Sequence, residues 1–361
     1  MTITLDGTSG ITTPTINGTG EHVTYVTGFK NRIINGGMVI DQRNAGDASV
    51  SAFQGYFLDR WVITQTITGK LIAQQNQGNI TPPVGFSNYL GVTSQSAYSV
   101  LTGDTYLFRQ IIEGFNFADM NWGTANASTV TLSFRVYSSL TGTFGGALTN
   151  AATNRSYLFS YSIPVANTWT TISVTIAGDV TGTWIGATNG VVVEVRFGLG
   201  SGATYSGTAG SWQAGNIVQP TGTVSVVGTS GATFYITGVQ LEKGSVATSF
   251  DQCAHSQELA MCQRYYQVMS ITGIAMTTNA FQPTRQLIVT MRTAPTIGIT
   301  GSMRRTADGV VSTVGALIGA SGDTYASSVL YIQCTPTPAL VIGSTYDSLG
   351  SIGSITASAE L

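Results

Sequence analysis

The side chains that carry most enzyme chemistry are scarce in this sequence of 361 residues. Its two histidines are His22, in a polar amino-terminal stretch, and His255, at the start of a predicted helix, and neither has a nucleophile motif nearby. The spacing of Cys253, His255 and Cys262 matches no usual zinc finger, and the third thiol, Cys334, is distant in sequence. We therefore expect free thiols, no catalytic histidine, no metal site and no cofactor.

Paired carboxylates could still hydrolyse a glycosidic bond, because any two acids can meet in a folded chain. The acids that could form such a pair are Asp41, Asp47, Asp59, Asp104, Glu113 and Asp119. Acids in strand and turn regions more often cap backbone amides, pair with arginines or hold a calcium ion. No phosphate-binding glycine loop follows an apolar strand and opens a helix. We predict that the protein is not an enzyme, and a polysaccharide-cleaving enzyme stays open as an alternative.

Aromatic side chains are better represented, with 5 tryptophans and 15 tyrosines. Their flat faces can stack on sugar rings while Asn, Gln and Thr bond the sugar hydroxyls, which suits carbohydrate binding with few charges. Trp61, in the segment FLDRW, is expected in the core. Trp122 and Trp212 lie in Gly-, Asn- and Ser-rich surroundings and are expected to be exposed. With two tyrosines from the distal end, they are the predicted glycan contacts: Trp122, Trp212, Tyr325 and Tyr346.

Sparse charge sets the broad class of the protein. Charged residues make up 9% of the chain, against about 25% in an average globular protein, and the net charge is −2. The lack of a basic stripe weighs against nucleic acid as a partner, and no run approaches the roughly 18 apolar residues of a membrane span. A protein with so few charges has little protection against association as a monomer, and this matters less when much of its surface is buried between subunits. We therefore expect a structural or adhesive subunit of an assembly. No signal peptide is recognised, and we expect folding in a cytoplasm.

Gly, Thr and Ser are abundant and predict an all-β fold of short strands joined by turns. Apolar and polar residues alternate at 130–137, 171–176 and 191–197, so each of these strands has one face in a core. Such strands predict a β-sandwich or a jelly roll over residues 30–250. Residues 1–29 are too polar for a core and form either a disordered terminus or an arm that orders on a partner.

One helix interrupts the strands and separates the sandwich from a smaller distal β domain over residues 271–361. The helix is predicted over residues 251–270, which lack Gly and Pro. Leu259, Cys262, Tyr266 and Met269 follow helical spacing and would form its apolar stripe. The helix either packs on its own domain or lies around a symmetry axis.

Short segments of this chain stand in a recognisable order: ITLDGTSGITTP (3–14), NRIINGGM (31–38), DQR (41–43), LDRW (58–61), VQLEKG (239–244), ATSF (247–250), CQRYY (262–266) and MRTAPT (291–296). Together they resemble bacteriophage tail-fibre and related virion proteins. The first segment is similar to their amino-terminal attachment tag. The segments from 31 to 61 and from 239 to 250 are similar to the two ends of a jelly-roll module shared with carbohydrate-binding-module-like domains. The last two are similar to the usual helix and the opening of the carboxy-terminal domain.

The resemblance implies a homotrimer in the tail of a virion, made in the host cytoplasm. Residues 1–29 would bind another tail, baseplate or virion protein through isolated apolar side chains, which are Ile3, Leu5, Ile11 and Ile16. The distal part would face the host, and the function would be attachment to the host surface by binding of cell-surface glycan. Two alternatives stay open, namely a purely structural baseplate, hub or head-fibre protein without receptor contact, and a polysaccharide depolymerase.

Overall fold

The architecture comes from a computed structural model that describes residues 29–47, 49–50, 54–184, 188–270, 272–283, 287–321 and 331–361. Residues 31–361 form one compact unit. Some predicted site residues lie outside the described ranges, and they are Ile3, Leu5, Ile11, Ile16 and Tyr325. Among the described residues, no helix has the length and apolar character that a membrane span requires.

Strands dominate the described part of the chain, where α1 (His255–Gln263) is the one α-helix. The strands before α1 are β1 (Ser49–Val50), β2 (Gln54–Leu58), β3 (Trp61–Gln65), β4 (Leu71–Gln75), β5 (Leu90–Ser94), β6 (Thr105–Glu113), β7 (Val130–Ser138), β8 (Gly142–Asn150), β9 (Arg155–Ile163), β10 (Thr170–Ile176), β11 (Val191–Ser201), β12 (Ser206–Gly207), β13 (Trp212–Ala214), β14 (Gln219–Pro220) and β15 (Thr233–Lys243). The strands after α1 are β16 (Tyr266–Ser270), β17 (Thr272–Ala275), β18 (Ala280–Pro283), β19 (Thr296–Arg305), β20 (Val311–Ser321), β21 (Tyr331–Thr337) and β22 (Thr345–Ser358). Short 3-10 helices lie at Gln77–Asn79, Gly114–Asn116, Ala118–Met120 and Ala203–Tyr205.

Two antiparallel sheets share one core between them and form the larger part of the fold. The six-stranded sheet has the order β1-β4-β5-β15-β7-β10, and the seven-stranded sheet has the order β13-β9-β8-β11-β6-β3-β2. Eight of these strands form the sets β5-β15-β7-β10 and β6-β11-β8-β9, between which the chain crosses repeatedly. That order is the double Greek key of a jelly roll. The predicted all-β class and jelly-roll sandwich are therefore confirmed.

The apolar alternation seen in the sequence marks the core-facing side of the strands. In β7 the four apolar residues predicted to share a face are all buried in the core cluster, and they are Val130, Leu132, Phe134 and Val136. Their polar neighbours therefore lie on the outer face of the six-stranded sheet. Trp61 is fully buried and contacts Phe108 and Phe197, with ring centroids 5.9 and 6.4 Å away. The prediction that Trp61 belongs to the core is confirmed.

The strands after α1 form a smaller β unit of their own. They pair antiparallel in the order β16-β22-β17-β18-β21-β20-β19, and β19 also pairs with β22. This last pairing closes the sheet into a barrel, which leaves fewer exposed strand edges than an open sheet. The interior is filled by a separate apolar cluster that includes Met269, Met303 and Ile355.

The observed helix is shorter than the helix predicted over residues 251–270. It ends at Gln263, and Tyr266–Ser270 form strand β16 against β22. The buried Tyr265 hydroxyl donates to Glu113 at 2.5 Å, while the Tyr266 ring lies 3.6 Å from the Arg43 guanidinium. The ladder pairing of Tyr266–Ser270 with β22 therefore replaces the last turns of the predicted helix.

A buried ion pair connects the jelly roll to the end of the barrel. Arg60, at φ 70° between β2 and β3, is 1% exposed and pairs with Glu360. Its guanidinium also lies 3.5 Å from the Tyr265 ring centroid and donates to the carbonyl of Ile111 at 2.6 Å. Burial alone would lower the pKa of Arg60, but the Glu360 carboxylate raises it above the ordinary value. Arg43 pairs with the same carboxylate at 2.7 Å. We call these residues the buried hub.

A second buried carboxylate, Glu113 at the end of β6, fixes the segment after α1. It accepts two hydrogen bonds from Arg264, at 2.5 and 3.0 Å, in addition to the one from Tyr265. Burial raises the pKa of Tyr265 above its ordinary value, so the hydroxyl stays protonated and can donate. The jelly roll therefore contacts the barrel through two buried carboxylates, Glu360 and Glu113, each of which pairs with arginine.

Removal of the Glu360 charge is expected to destabilise the whole unit. Glu360→Gln leaves two arginines, one of them fully buried, without a carboxylate, and we expect a loss of about 3 kcal/mol in the free energy of unfolding, measured in urea. Asp308→Asn, which breaks the exposed Arg305–Asp308 pair, is the control and should leave the unfolding midpoint unchanged. Equal effects of the two substitutions would contradict the hub.

Asp59 gives the stability of the protein a defined pH dependence. Burial raises its pKa from 3.8 to about 6, although hydrogen bonds from the Gln42 backbone and side chain, at 2.6 and 2.8 Å, lower it in part. The folded state thus binds this proton more tightly than the unfolded chain. The stabilisation is complete below pH 3.8 and is lost as the pH rises through about 6.

Wild type should therefore lose roughly 2–3 kcal/mol of unfolding free energy relative to Asp59→Asn between pH 4 and pH 7. Urea titrations of both proteins at several pH values measure this difference. A difference that stays constant across the range would show that Asp59 titrates at its ordinary pKa.

Candidate functional site

The outer face of the six-stranded sheet carries a groove with a volume of about 320 Å3. Strands β7, β10 and β15 form its floor, and the segments before β5 and after β15 form its walls. We call it the outer groove. Its lining residues are Phe86, Ser133, Arg135, Thr171, Ile172, Ser173, Gly238, Ala247, Thr248, Ser249 and Phe250.

Two phenylalanines from different segments form an aromatic wall of the outer groove. The ring centroids of Phe86 and Phe250 are 5.1 Å apart, and the rings are inclined by 64°. Phe86 lies against Gly238, which has φ 62° and sits where the register of β15 shifts against β7. A Cβ atom at position 238 would come within 2.5 Å of the Phe86 ring. Only glycine suits both this backbone conformation and this close approach.

The floor of the outer groove is rich in hydroxyl groups. Ser133 pairs across strands with Ser173, and Thr171 pairs with Arg135, so these side chains share one face of the sheet. Among the described residues, the hydroxyls of Ser133, Thr171 and Ser173 have no hydrogen-bond partner. The hydroxyl of Thr248, on the wall, donates to the buried Glu242 at 2.7 Å. The floor can therefore donate to and accept from a polar ligand.

Arg135 is the charged residue in the lining of the outer groove. It is half-buried, between Thr171 of β10 and Thr237 of β15 in the strand register. Within the described part of the chain, it has no ion pair, hydrogen bond or ring contact. The outer groove thus offers a guanidinium that no other described residue binds.

An aromatic cluster continues the outer face beyond the groove. Tyr137, two residues after Arg135 on the same face of β7, stacks on Tyr235 with centroids 5.4 Å apart and an angle of 12°. Trp169 lies 5.5 Å from Tyr137 and donates its indole N–H to the carbonyl of Thr81 at 2.9 Å. Burial raises the pKa of Tyr235, whereas Tyr137 and Trp169 remain partly exposed. The cluster provides aromatic faces next to the hydroxyl-rich floor.

The expectation that Trp122 is exposed is wrong. Its indole is 6% exposed, and it contacts Trp184 and Trp212 edge-on with centroids 4.8 and 5.1 Å away. Left-handed turn residues, Asn121 and Gly123, flank it, and these turns direct the indole inward, where its N–H donates to a backbone carbonyl at 2.7 Å. The polar surroundings therefore mark tight turns and not an exposed loop. Trp212 is half-buried in the same cluster, and its contact with glycan stays a prediction.

Tyr346 is also buried, contrary to the expectation of a distal surface aromatic. It is 2% exposed in the barrel core, and its hydroxyl accepts a hydrogen bond from the Val341 N–H at 2.9 Å. The next residue in β22, Asp347, faces outward and pairs with Arg304 at 2.9 Å, so alternation along the strand directs Tyr346 inward. The structure thus brings Trp122 and Trp212 together and separates Tyr346 from them, while Tyr325 lies outside the described residues.

Of the six acids that could have formed a catalytic pair, all but the exposed Asp47 have side-chain partners among the described residues. Asp41 accepts from the amides of a following turn, Asp104 accepts from Tyr98 and a backbone amide, and Asp119 pairs with Arg32 at 2.9 Å. Asp59 and Glu113 belong to the contacts described above. No group of three or more His, Cys, Asp or Glu residues is placed to hold a metal ion in the portion of the chain that the structure describes.

The alternation at 130–137 places Arg135 and Tyr137 on the polar face of their strand, but neither is among the glycan contacts predicted from the sequence. A single arginine among serines and threonines on that face was the available signal. The walls could not be inferred, because Phe86 and Phe250 are 164 residues apart in sequence and meet only in the fold.

Comparison with protein-family models and with curated proteins finds no match. Solved structures show limited similarity. The enzymatically active domain of bacteriophage CBA120 tailspike protein 4 is 16% identical over 59% of this chain and 21% of that chain, with a TM-score of 0.32. A CBM4 structure is 14% identical over 58% and 98%, with a TM-score of 0.28. The family 11 carbohydrate-binding module of Clostridium thermocellum, solved with a β-1,3-1,4-mixed-linked tetrasaccharide, is 12% identical over 57% and 100%, with a TM-score of 0.27. TM-scores this low establish neither a shared site nor a shared function.

Substitution of Gly238 tests how the wall of the outer groove is built. Gly238→Ala should lower the free energy of unfolding by about 2 kcal/mol or more, because it adds a clash with Phe86 to the strain of a left-handed residue. Gly231→Ala is the matched control, since Gly231 has φ 74° but no atom within 4 Å of the added Cβ. Urea unfolding of both variants separates the backbone strain of a positive φ from the clash with Phe86. Equal losses of unfolding free energy would show that Phe86 does not pack on Gly238.

Proposed function

We propose that this chain is a bacteriophage tail-fibre subunit that attaches the virion to the host by binding a cell-surface glycan in the outer groove. The virion role is supported by the order of the segments that resemble tail-fibre proteins. The binding role is supported by one observation above all, namely a groove in which unpartnered hydroxyls line the floor and aromatic rings form the wall. Binding without turnover is the proposed activity.

The outer groove suits a short stretch of a sugar chain. Its volume of about 320 Å3 is at the lower end of the about 300–1,000 Å3 typical of ligand sites. Ser133, Thr171 and Ser173 can exchange hydrogen bonds with sugar hydroxyls. The exposed parts of Tyr137 and Trp169 can contact the apolar face of a neighbouring sugar unit. A site of this size and polarity binds weakly when it acts alone.

Attachment would gain strength from repetition of the site. In the proposed homotrimer each subunit contributes one outer groove, and a virion carries several fibres. Linked sites can raise the overall affinity about 100-fold or more without any new contact. Residues 1–29 would hold the fibre to another virion protein, which leaves the jelly roll and barrel to meet the host.

Glycan-array binding of the purified chain tests the proposal, and single hydroxyl deletions locate the site. Thr171→Val removes one floor hydroxyl at constant shape and should weaken binding of the best array glycan about fivefold, the effect of one lost hydrogen bond of about 1 kcal/mol. Thr102→Val removes an exposed hydroxyl outside the groove lining and should have no effect.

Glycan binding that is insensitive to Thr171→Val and to Tyr137→Ala would place the site elsewhere. A chain that binds no glycan on the array but binds another virion protein tightly would favour the purely structural alternative.

A further inference from the structure

Arg135 differs from the other described lysines and arginines because it has no partner. The other described lysines and arginines all have an ion pair, a hydrogen bond or an aromatic contact, including those on the same sheet such as Lys243, which bonds Asp119. Even Arg292, which has no carboxylate partner, donates to three backbone carbonyls at 2.7–2.8 Å. Arg135 has none of these, although it is half-buried in the outer groove.

No acid of the protein compensates Arg135 from within the outer groove. The lining contains no Asp or Glu. The nearest acid in the strand register is Glu242, which pairs with Thr131 on β7 and is 2% exposed. Its carboxylate already accepts from the backbone and hydroxyl of Thr248, at 2.9 and 2.7 Å, and from Gln240 at 2.8 Å. Glu242 therefore accepts from three neutral donors and forms no ion pair with Arg135.

A guanidinium in this position has a defined chemical preference. Its planar set of N–H donors matches the two oxygens of a carboxylate, and such paired hydrogen bonds are the strong ones. Partial burial has already removed some of the water around Arg135, so a ligand carboxylate would meet less competition there than at an open surface. Ser133 and Thr171 neighbour Arg135 on the same face of the sheet, and their hydroxyls can bond sugar atoms near that carboxylate.

We propose that the outer groove selects acidic glycans, and that Arg135 binds the carboxylate of a uronic-acid-type sugar unit. This inference rests on the proposed glycan-binding function and narrows its ligand class. One bidentate contact of this kind should favour a carboxylated glycan over its neutral counterpart about 10- to 100-fold. The preference should weaken as salt rises, because Arg135 is only partly shielded from solvent.

The test compares oligosaccharides that differ only in charge. Uronic-acid-containing oligosaccharides and the same molecules after carboxyl reduction are presented to the full chain on one array, beside sulfated sugars. Wild type should bind the carboxylated members at least tenfold more tightly than the reduced members. Arg135→Gln should weaken binding of the carboxylated members at least tenfold and of the reduced members much less, which abolishes that difference. Arg135→Lys, which keeps the charge without the planar fork, should retain only part of the preference.

Lys243→Gln is the matched control, since it removes one positive charge from the same sheet outside the groove lining, and it should preserve the preference. Urea unfolding should show Arg135→Gln to be as stable as wild type. Equal binding of carboxylated and reduced sugars, an equal loss of both in Arg135→Gln, or a preference for sulfated sugars would overturn the assignment while glycan binding itself survives. If neither set binds, the proposed function fails and the inference fails with it.

Discussion

The ion pair between Arg60 and Glu360 lies at the centre of the contacts between the jelly roll and the barrel. A buried charge needs a partner of opposite charge, and here the partner comes from a residue 300 positions away in sequence. Arg43 pairs with the same Glu360 carboxylate, and the Tyr265 ring lies against the Arg60 guanidinium. Because all of these groups must be in place together, the ends of the two β units are held in one arrangement.

The segments that resemble tail-fibre proteins supply Arg43, Arg60 and Tyr265 to this hub, while Glu360 lies outside them. Asn31 donates to the carbonyl of Val239 at 3.1 Å and accepts from the Leu241 N–H at 3.0 Å, so the segments NRIINGGM and VQLEKG join directly. The Trp61 indole, in LDRW, donates to the carbonyl of Asn35 at 3.1 Å. These motifs are therefore informative about architecture. The outer groove lies on a different surface, where most of the lining belongs to none of them.

Local patterns in the sequence predict the features that neighbouring residues determine, such as which face of a strand is buried. Alternation along 130–137 identified both the core face of β7 and the outer face that carries Arg135. The helix was extended too far because Tyr266 and Met269 fit helical spacing, while their actual partners, Arg43 and the barrel core, are remote in sequence. Trp122 was misjudged for a related reason, since polar neighbours cannot reveal that two other tryptophans cover its ring. The groove walls likewise depend on tertiary contacts alone.

The proposed glycan site is the outer groove and not the cluster formed by Trp122, Trp184 and Trp212. NMR of the full chain during titration with the tightest array glycan distinguishes the two surfaces directly. Binding in the outer groove predicts shifts of the Thr171 and Ala247 methyl signals and of the Arg135 side-chain N–H, while the Trp184 and Trp212 indole N–H signals stay unchanged. Shifts confined to the two indoles would contradict the account.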